Sequence, residues 1–413
     1  MNHVPRHDAV SDLLTLVITT SPTPSAPSTE LLSSVLESFQ THCPALLQCP
    51  VIVVFDTYEQ ITATPRLKKG YVTPETAAKY SIYKDNVKTL FLNTFAKSAV
   101  EPTPPLLESS GEAEYGSPQL TKPVPLIITS TDVKRVRFIE ADGRRLGFGL
   151  GVRSALRAIS TPYVWVHQHD WRLIQDIPIA ALLGAMQASP HEDTAADRPP
   201  IRYVCLPSGR RSSYATSEQV VPYPALRQVS LALTGEYPST TTGDGHHLPP
   251  VPLTPLFFWH DKPHVAATAH YLARVFPSRL AVARGAFIED TVGQAARNQM
   301  KAGGWRAWAT WLYYPDAGES ACLRHLHGRT WRGEEEEERR RQVAVLRGRE
   351  DRSELLRERE RRSAGGGAGE DSSSSHEDSV SEYGEAGMWE LDTAQLFRFC
   401  CSKTCTTDDA CSH

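Results

Sequence analysis

Ser160-Thr161-Pro162-Tyr163-Val164-Trp165-Val166-His167-Gln168-His169-Asp170-Trp171 is the stretch that decides the fold. A proline marks its entry, β-branched and aromatic residues fill its middle, and it ends abruptly in His, Gln, His and Asp. That pattern predicts a buried strand whose last residues emerge at a sheet edge. In open α/β sheets, ligands bind outside the carboxyl ends of the strands. Strand alternation predicts Gln168 and Asp170 on one side, with His167 and His169 on the other. The same residues would also suit a strand that merely meets solvent, so the rest of the chain must weigh in.

Upstream, Leu14 to Thr20 reads as a short β-branched strand stopped by a Pro/Ser-rich turn. Ser28 and Thr29 offer an N-cap ahead of Leu31, Leu32, Val35, Leu36 and Phe39, one apolar face of a helix. Val51 to Phe55 is the next strand and closes on Asp56. This unit lacks the glycine-rich fingerprint of a dinucleotide site, which argues against that ligand class. Residues 59–80 read as an inserted loop, 81–97 as a helix and 100–122 as a mobile excursion. Residues 124–129 restart the sheet, and the basic segment 135–145 is placed to face phosphates or solvent.

Gly147, Gly149 and Gly151 lead a helix that carries Arg153 and runs into the deciding strand; they permit close backbone approach. Downstream, Asp176 is expected to cap a helix through Met186, and residues 201–206 form a strand. Residues 207–252 read as a long mobile loop containing Gly243-Asp244-Gly245-His246-His247. A second apolar run ends in His260-Asp261 before a helix expected over 263–276. Glu289 and Asp290 open another helix, where the dipole favours carboxylates. A last strand over 308–314 precedes His325 and His327.

The chain has 413 residues and a formal net charge of −4, which argues against a polyanion such as nucleic acid as the main partner. Cys400, Cys401, Cys405 and Cys411 with His413 lack the paired spacing of a structural zinc site and read as an unstructured thiol-rich end. No signal peptide or transmembrane run is evident, so a cytoplasmic protein is expected. The expected organisation is an N-terminal extension (1–12), one α/β domain (13–333), and a charged, low-complexity, disordered C-terminal tail (334–413).

Taken in order, Leu36-Glu37-Ser38-Phe39-Gln40, Val53-Val54-Phe55-Asp56, Gly151-Val152-Arg153-Ser154, Gln168-His169-Asp170, Glu289-Asp290 and the late His325 or His327 resemble the landmarks of nucleotide-diphospho-sugar transferases of GT-A fold, family 2 type. The resemblance spans about residues 13–329. It implies a GT-A-like single domain with a Rossmann-like mixed β-sheet flanked by helices. It also implies an inverting, divalent-metal-assisted glycosyltransferase. The donor would be a nucleotide sugar and the acceptor an unidentified glycan, protein or lipid hydroxyl. The sequence departs from the family pattern at Gln168, which replaces the first Asp of Asp-x-Asp, at Phe55 and at Ser154.

On this resemblance Asp290 is the general base, with Glu289 in reserve. Thr20, Asp56, Arg153 and Gln168 bind the nucleotide sugar. Asp170, with His169, His325 or His327, holds Mn2+ or Mg2+. Trp259 or Trp305 would offer a sugar-stacking face, burial in the core being the more frequent case for tryptophan. Three other readings compete: a catalytically weakened or inactive GT-A-like module that binds nucleotide or glycan, a sugar-1-phosphate nucleotidyltransferase, and a glycoside hydrolase on Asp170 and Asp290, which would leave the nucleotide-side features unexplained. The second is disfavoured because residues 19–28 contain neither Gly nor Lys.

Overall fold

The computed structural model describes residues 9–96, 105–114, 122–190, 198–212, 214–239, 248–340 and 342–343. Contacts divide the chain into two units, Met1–Gln342 and Val343–His413, and of the second only Val343 is described. The cysteine-rich end, residues 243–247 and most of the tail therefore lie outside the described residues.

The first half carries α1 (Val10–Leu13), β1 (Leu14–Thr20), α2 (Glu30–His42), β2 (Val51–Phe55), a small pair β3 (Gln60–Ile61) and β4 (Tyr71–Val72), α3 (Pro74–Phe95), β5 (Leu107–Ala113), β6 (Val124–Ser130) and β7 (Val136–Ala141). Next come α4 (Phe148–Leu156), β8 (Tyr163–Gln168), β9 (Trp171–Leu173), α5 (Ile179–Ala188), β10 (Tyr203–Cys205), α6 (Pro224–Leu233) and β11 (Gly235–Tyr237). The remainder is β12 (Val251–Pro255), β13 (His264–Ala267), α7 (Thr268–Val275), α8 (Gln294–Gln299), α9 (Trp305–Trp308), β14 (Thr310–Tyr313) and β15 (Leu323–His325).

Eleven strands form one mixed sheet in the order β11-β12-β14-β10-β13-β8-β1-β2-β7-β6-β5. At its centre β8, β1, β2 and β7 run parallel. All five β2 residues are buried, as are six of the seven in β1, so the sheet is covered on both faces. The helix α4 packs on β1 and β2, and α3 on β7. Register fixes the site: Thr19 lies beside Gln168 and Thr20 beside Phe55, so Thr20, Asp56 and the end of β8 share one sheet edge. The architecture is mixed α/β, with a large mixed sheet flanked by helices.

Several local expectations differ from the structure. The segment 263–276 is not all helix, because β13 precedes α7 and runs antiparallel to β8. Buried Val265 and Ala266 fill a gap in the sheet that helical periodicity ignores. The excursion over 100–122 contains β5, an edge strand on β6, and β7 occupies most of the basic segment 135–145. The long loop 207–252 contains α6 and β11. The helix expected from 81 begins at Pro74, where Thr73 accepts a hydrogen bond from the Thr76 N–H and proline suits the first turn. Asp176 does not cap α5; its carboxylate meets His42 Nδ1 at 2.9 Å. Trp259 and Trp305 are buried in the core and present no sugar face.

Candidate functional site

The strand β8 ends at Gln168 because the backbone turns there, and the turn overrides the alternation expected from sequence. His167 stays inside: its Nδ1 accepts from Trp165 Nε1 at 3.1 Å and its Nε2 meets the Trp171 carbonyl at 2.7 Å. Burial pushes its pKa down to about 4, so it is a neutral core histidine. Gln168 turns the other way, donating its side-chain amide to the Asp261 carbonyl at 2.9 Å. His169 and Asp170 follow in the turn, and both lie against Gly328.

His169 is held by β1. Its Nδ1 lies 2.8 Å from Thr20 Oγ1 and accepts from the Ser21 N–H at 3.3 Å. The Thr20 hydroxyl also meets Tyr83 OH at 2.8 Å, so this expected nucleotide-binding residue is tied into a buried polar chain. A Cβ on Gly328 would sit 2.8 Å from His169 Nε2 and 3.1 Å from Asp170 Oδ2, which makes glycine necessary at that close approach.

Asp170 is nine per cent exposed. Its Oδ2 accepts from His325 Nε2 and from the Gly328 N–H, each at 3.1 Å. His325 reaches it because β15 pairs with β9, setting His325 opposite Trp171. His327, two residues on, lies Nδ1 to Nδ1 at 3.0 Å from His325. Burial pushes the Asp170 carboxyl up, but the His325 hydrogen bond and the neighbouring His169 and His325 outweigh it, holding Asp170 below the ordinary carboxylate range. The other carboxylate oxygen, Oδ1, is buried with no hydrogen-bond partner. Sequence reasoning thus grouped four residues that tertiary structure brings together: His169, Asp170, His325 and His327.

Among the described residues, no group of three or more His, Cys, Asp or Glu side chains is arranged to hold a metal ion. The orphaned oxygen of Asp170 nevertheless has the chemistry to serve as a hard cation's carboxylate ligand.

Asp56 lies on the same edge but faces the loop before α4. Its Oδ1 accepts from the Leu146 N–H at 2.7 Å; its Oδ2 accepts from the Gly147 N–H at 3.1 Å and from Arg145 Nε at 3.2 Å. Burial pushes its pKa up against the opposing pull of Arg145. Arg153 is not brought to this edge. It lies in the last turn of α4, almost fully buried, and its guanidinium donates to the carbonyls of Glu114 (2.5 Å) and Arg279 (3.4 Å). The helix starts at the site, and its 1.5 Å rise per residue carries Arg153 away from it. The glycines of α4 serve protein packing: a Cβ on Gly147 would meet Gly285 Cα at 2.4 Å.

Glu289 is half-buried and Asp290 exposed. Glu289 Oε2 accepts from the Asp261 N–H at 3.3 Å and lies 3.7 Å from His260 Nδ1. Asp261 in turn accepts, through Oδ2, the N–H groups of Ile288 (3.0 Å) and Glu289 (3.4 Å), capping the helical run over 289–308. Burial and the adjacent Glu289 push the Asp261 carboxyl well above its ordinary range. Glu289 remains ionised, because His260 and the Asp261 N–H outweigh its burial. Sequence reasoning assigned no role to Asp261; the signal was the second apolar run with a polar end, in the same style as β8. Arg145 was anticipated only as the end of the basic segment 135–145, and Arg329 carried no signal, since a lone arginine in a loop has no pattern.

No helix among the described residues is long and apolar enough to cross a membrane. No family model matches the chain, and no curated protein does. Among solved structures, a mannosyltransferase from Pyrobaculum calidifontis in complex with GDP-Man and Mn2+ aligns over 76% of this chain at 12% identity, with a TM-score of 0.31. The alignment spans 62% of that protein's length, under two thirds, and the architecture described above is read from this chain's own strand order.

Proposed function

We propose that this protein is a GT-A-like glycosyltransferase that takes a nucleoside-diphosphate sugar as donor. The observation that carries the reading is Asp170: an ionised, buried carboxylate with one oxygen unpartnered, at the carboxyl end of a central parallel strand. Burying an ionised oxygen without a partner is costly, so a ligand that completes it is the economical explanation. A Mn2+ or Mg2+ ion at Asp170 Oδ1 would neutralise charge on the leaving diphosphate.

The protein's own residues would do the rest. His325, aligned by His327, keeps Asp170 oriented and ionised. An acceptor hydroxyl oxygen attacks the anomeric carbon while the bond to the diphosphate oxygen breaks and its electron pair leaves with the diphosphate. The hydroxyl proton passes to the Asp290 carboxylate as general base. Glu289, tied to His260 and Asp261, positions that turn. A single displacement inverts the anomeric centre.

One observation favours a second reading, a GT-A-like module that binds without turnover. Gln168 stands where the family has an Asp, and its amide is spent on the Asp261 carbonyl. Calorimetric titration of UDP and GDP into the full chain, with and without Mn2+, tests the proposal beside Asp170→Asn. Mn2+-dependent binding lost in the variant is the expected result. Binding indifferent to both metal and Asp170 supports the second reading, and a folded protein that binds neither nucleotide overturns both.

A further inference from the structure

We infer that Arg329 offers its guanidinium to the diphosphate of the donor, an inference that rests on the nucleotide-sugar reading. Arg329 follows Gly328, whose N–H is fixed on Asp170, and the turn is closed by the Thr330 N–H on the His327 carbonyl at 2.8 Å. Its guanidinium lies 5.8 Å from the centre of the Phe287 ring. It makes no hydrogen bond or ion pair among the described residues, leaving its donors open. Phe287 stacks on Phe148 at 5.9 Å, giving the position an apolar wall that strengthens charge interactions near it.

Arg329 meets one charge of each sign. It is near enough to Asp170 to be attracted and near enough to Arg145 to be repelled. Arg145 is already pinned to Asp56, and its carbonyl accepts from Arg284, so it does not swing away. A guanidinium set over an aromatic ring, with no hydrogen bond or ion pair among the described residues, suits a phosphate. The rigid fork of arginine suits phosphate oxygens in particular. Its place next to Gly328, whose N–H is on Asp170, brings that phosphate toward the unpartnered carboxylate oxygen.

The test uses the full chain as wild type, Arg329→Gln and Arg329→Lys, titrated with UDP and GDP and, separately, with uridine and guanosine. Arg329 makes no hydrogen bond or ion pair among the described residues and only a ring contact with Phe287, so both variants are expected to fold and to melt close to wild type. Arg329→Gln is expected to weaken diphosphate binding by about tenfold or more, as for a lost charge-assisted hydrogen bond. Nucleoside binding stays unchanged, and lysine restores part of the loss through its charge. Wild-type affinity for UDP or GDP in Arg329→Gln overturns this inference and leaves the donor reading standing. A loss equal for nucleosides and diphosphates overturns it too, because the effect is then not on phosphate. Failure of the wild type to bind either nucleotide overturns the donor reading, and this inference with it.

Discussion

His325 Nε2 lies 3.1 Å from Asp170 Oδ2, although 155 residues separate the two in the chain. The contact ties the end of the central strand β8 to the last strand, β15, and keeps a buried carboxylate charged. Its energetic consequences are separable from any ligand.

Asp170 has a depressed folded-state pKa, so its stabilisation is present above the unfolded value and lost as pH falls through the folded one. His325→Ala should cost about 1–3 kcal/mol at neutral pH, at the lower end because His325 is partly exposed. The deficit should shrink as pH drops below 3.8, the ordinary aspartate value. Melting temperatures from pH 7 to 3 measure this; a deficit that persists unchanged in acid contradicts it.

Asp261 has the opposite sign. Its folded pKa is raised, so the folded state holds a proton the unfolded chain releases, and raising pH through that range costs stability. Asp261→Asn keeps a neutral acceptor for the Ile288 and Glu289 N–H groups. The variant should match or exceed wild type above pH 7 and show a flatter melting profile between pH 5 and 9. Asp261→Ala, which orphans both donors, should lose about 1–3 kcal/mol. A parallel pair of pH profiles for wild type and Asp261→Asn would show that the group is ionised.

Gly147 adopts φ 81° and leaves no room for a side chain against Gly285. Gly147→Ala combines left-handed strain with overpacking and should cost about 2–4 kcal/mol. Gly143, also at positive φ but with open space around it, should cost less on the same substitution. Denaturant unfolding of the two variants checks the order.

Arg153→Met should lower stability, because the Glu114 and Arg279 carbonyls lose a buried donor, by about 1–3 kcal/mol. Nucleotide affinity should not change. A selective loss of UDP or GDP binding with normal stability would return Arg153 to the site.

His167 was legible as a strand residue but not as neutral; that follows from the Trp165 and Trp171 partners that bury it. His169 and Asp170 were legible from the polar end of an apolar strand, whereas His325 and His327 came only with the family resemblance; the pairing of β15 with β9 is what brings His325 to Asp170. Arg153 was misplaced because sequence says a residue is on a helix, while only the helix direction says which end meets the ligand. Asp261 and Arg329 were not legible. One acts through neighbours 27 and 28 residues away, and the other through a ring 42 positions upstream in a different loop.

What the sequence alone determined is local: the buried β-branched runs of β1, β2 and β8, the polar residues that end them, and the glycines that let α4 pack closely. Hydrophobic periodicity and chain stiffness act over a few residues, so they can be read a few residues at a time. Tertiary structure alone decided that 264–267 is a strand, that Gln168 and Asp170 part company, and that Asp170 keeps one oxygen unpartnered. Those outcomes depend on which distant segment supplies the hydrogen-bond partner and how far its burial strips away water, and neither is encoded in any single stretch of the chain.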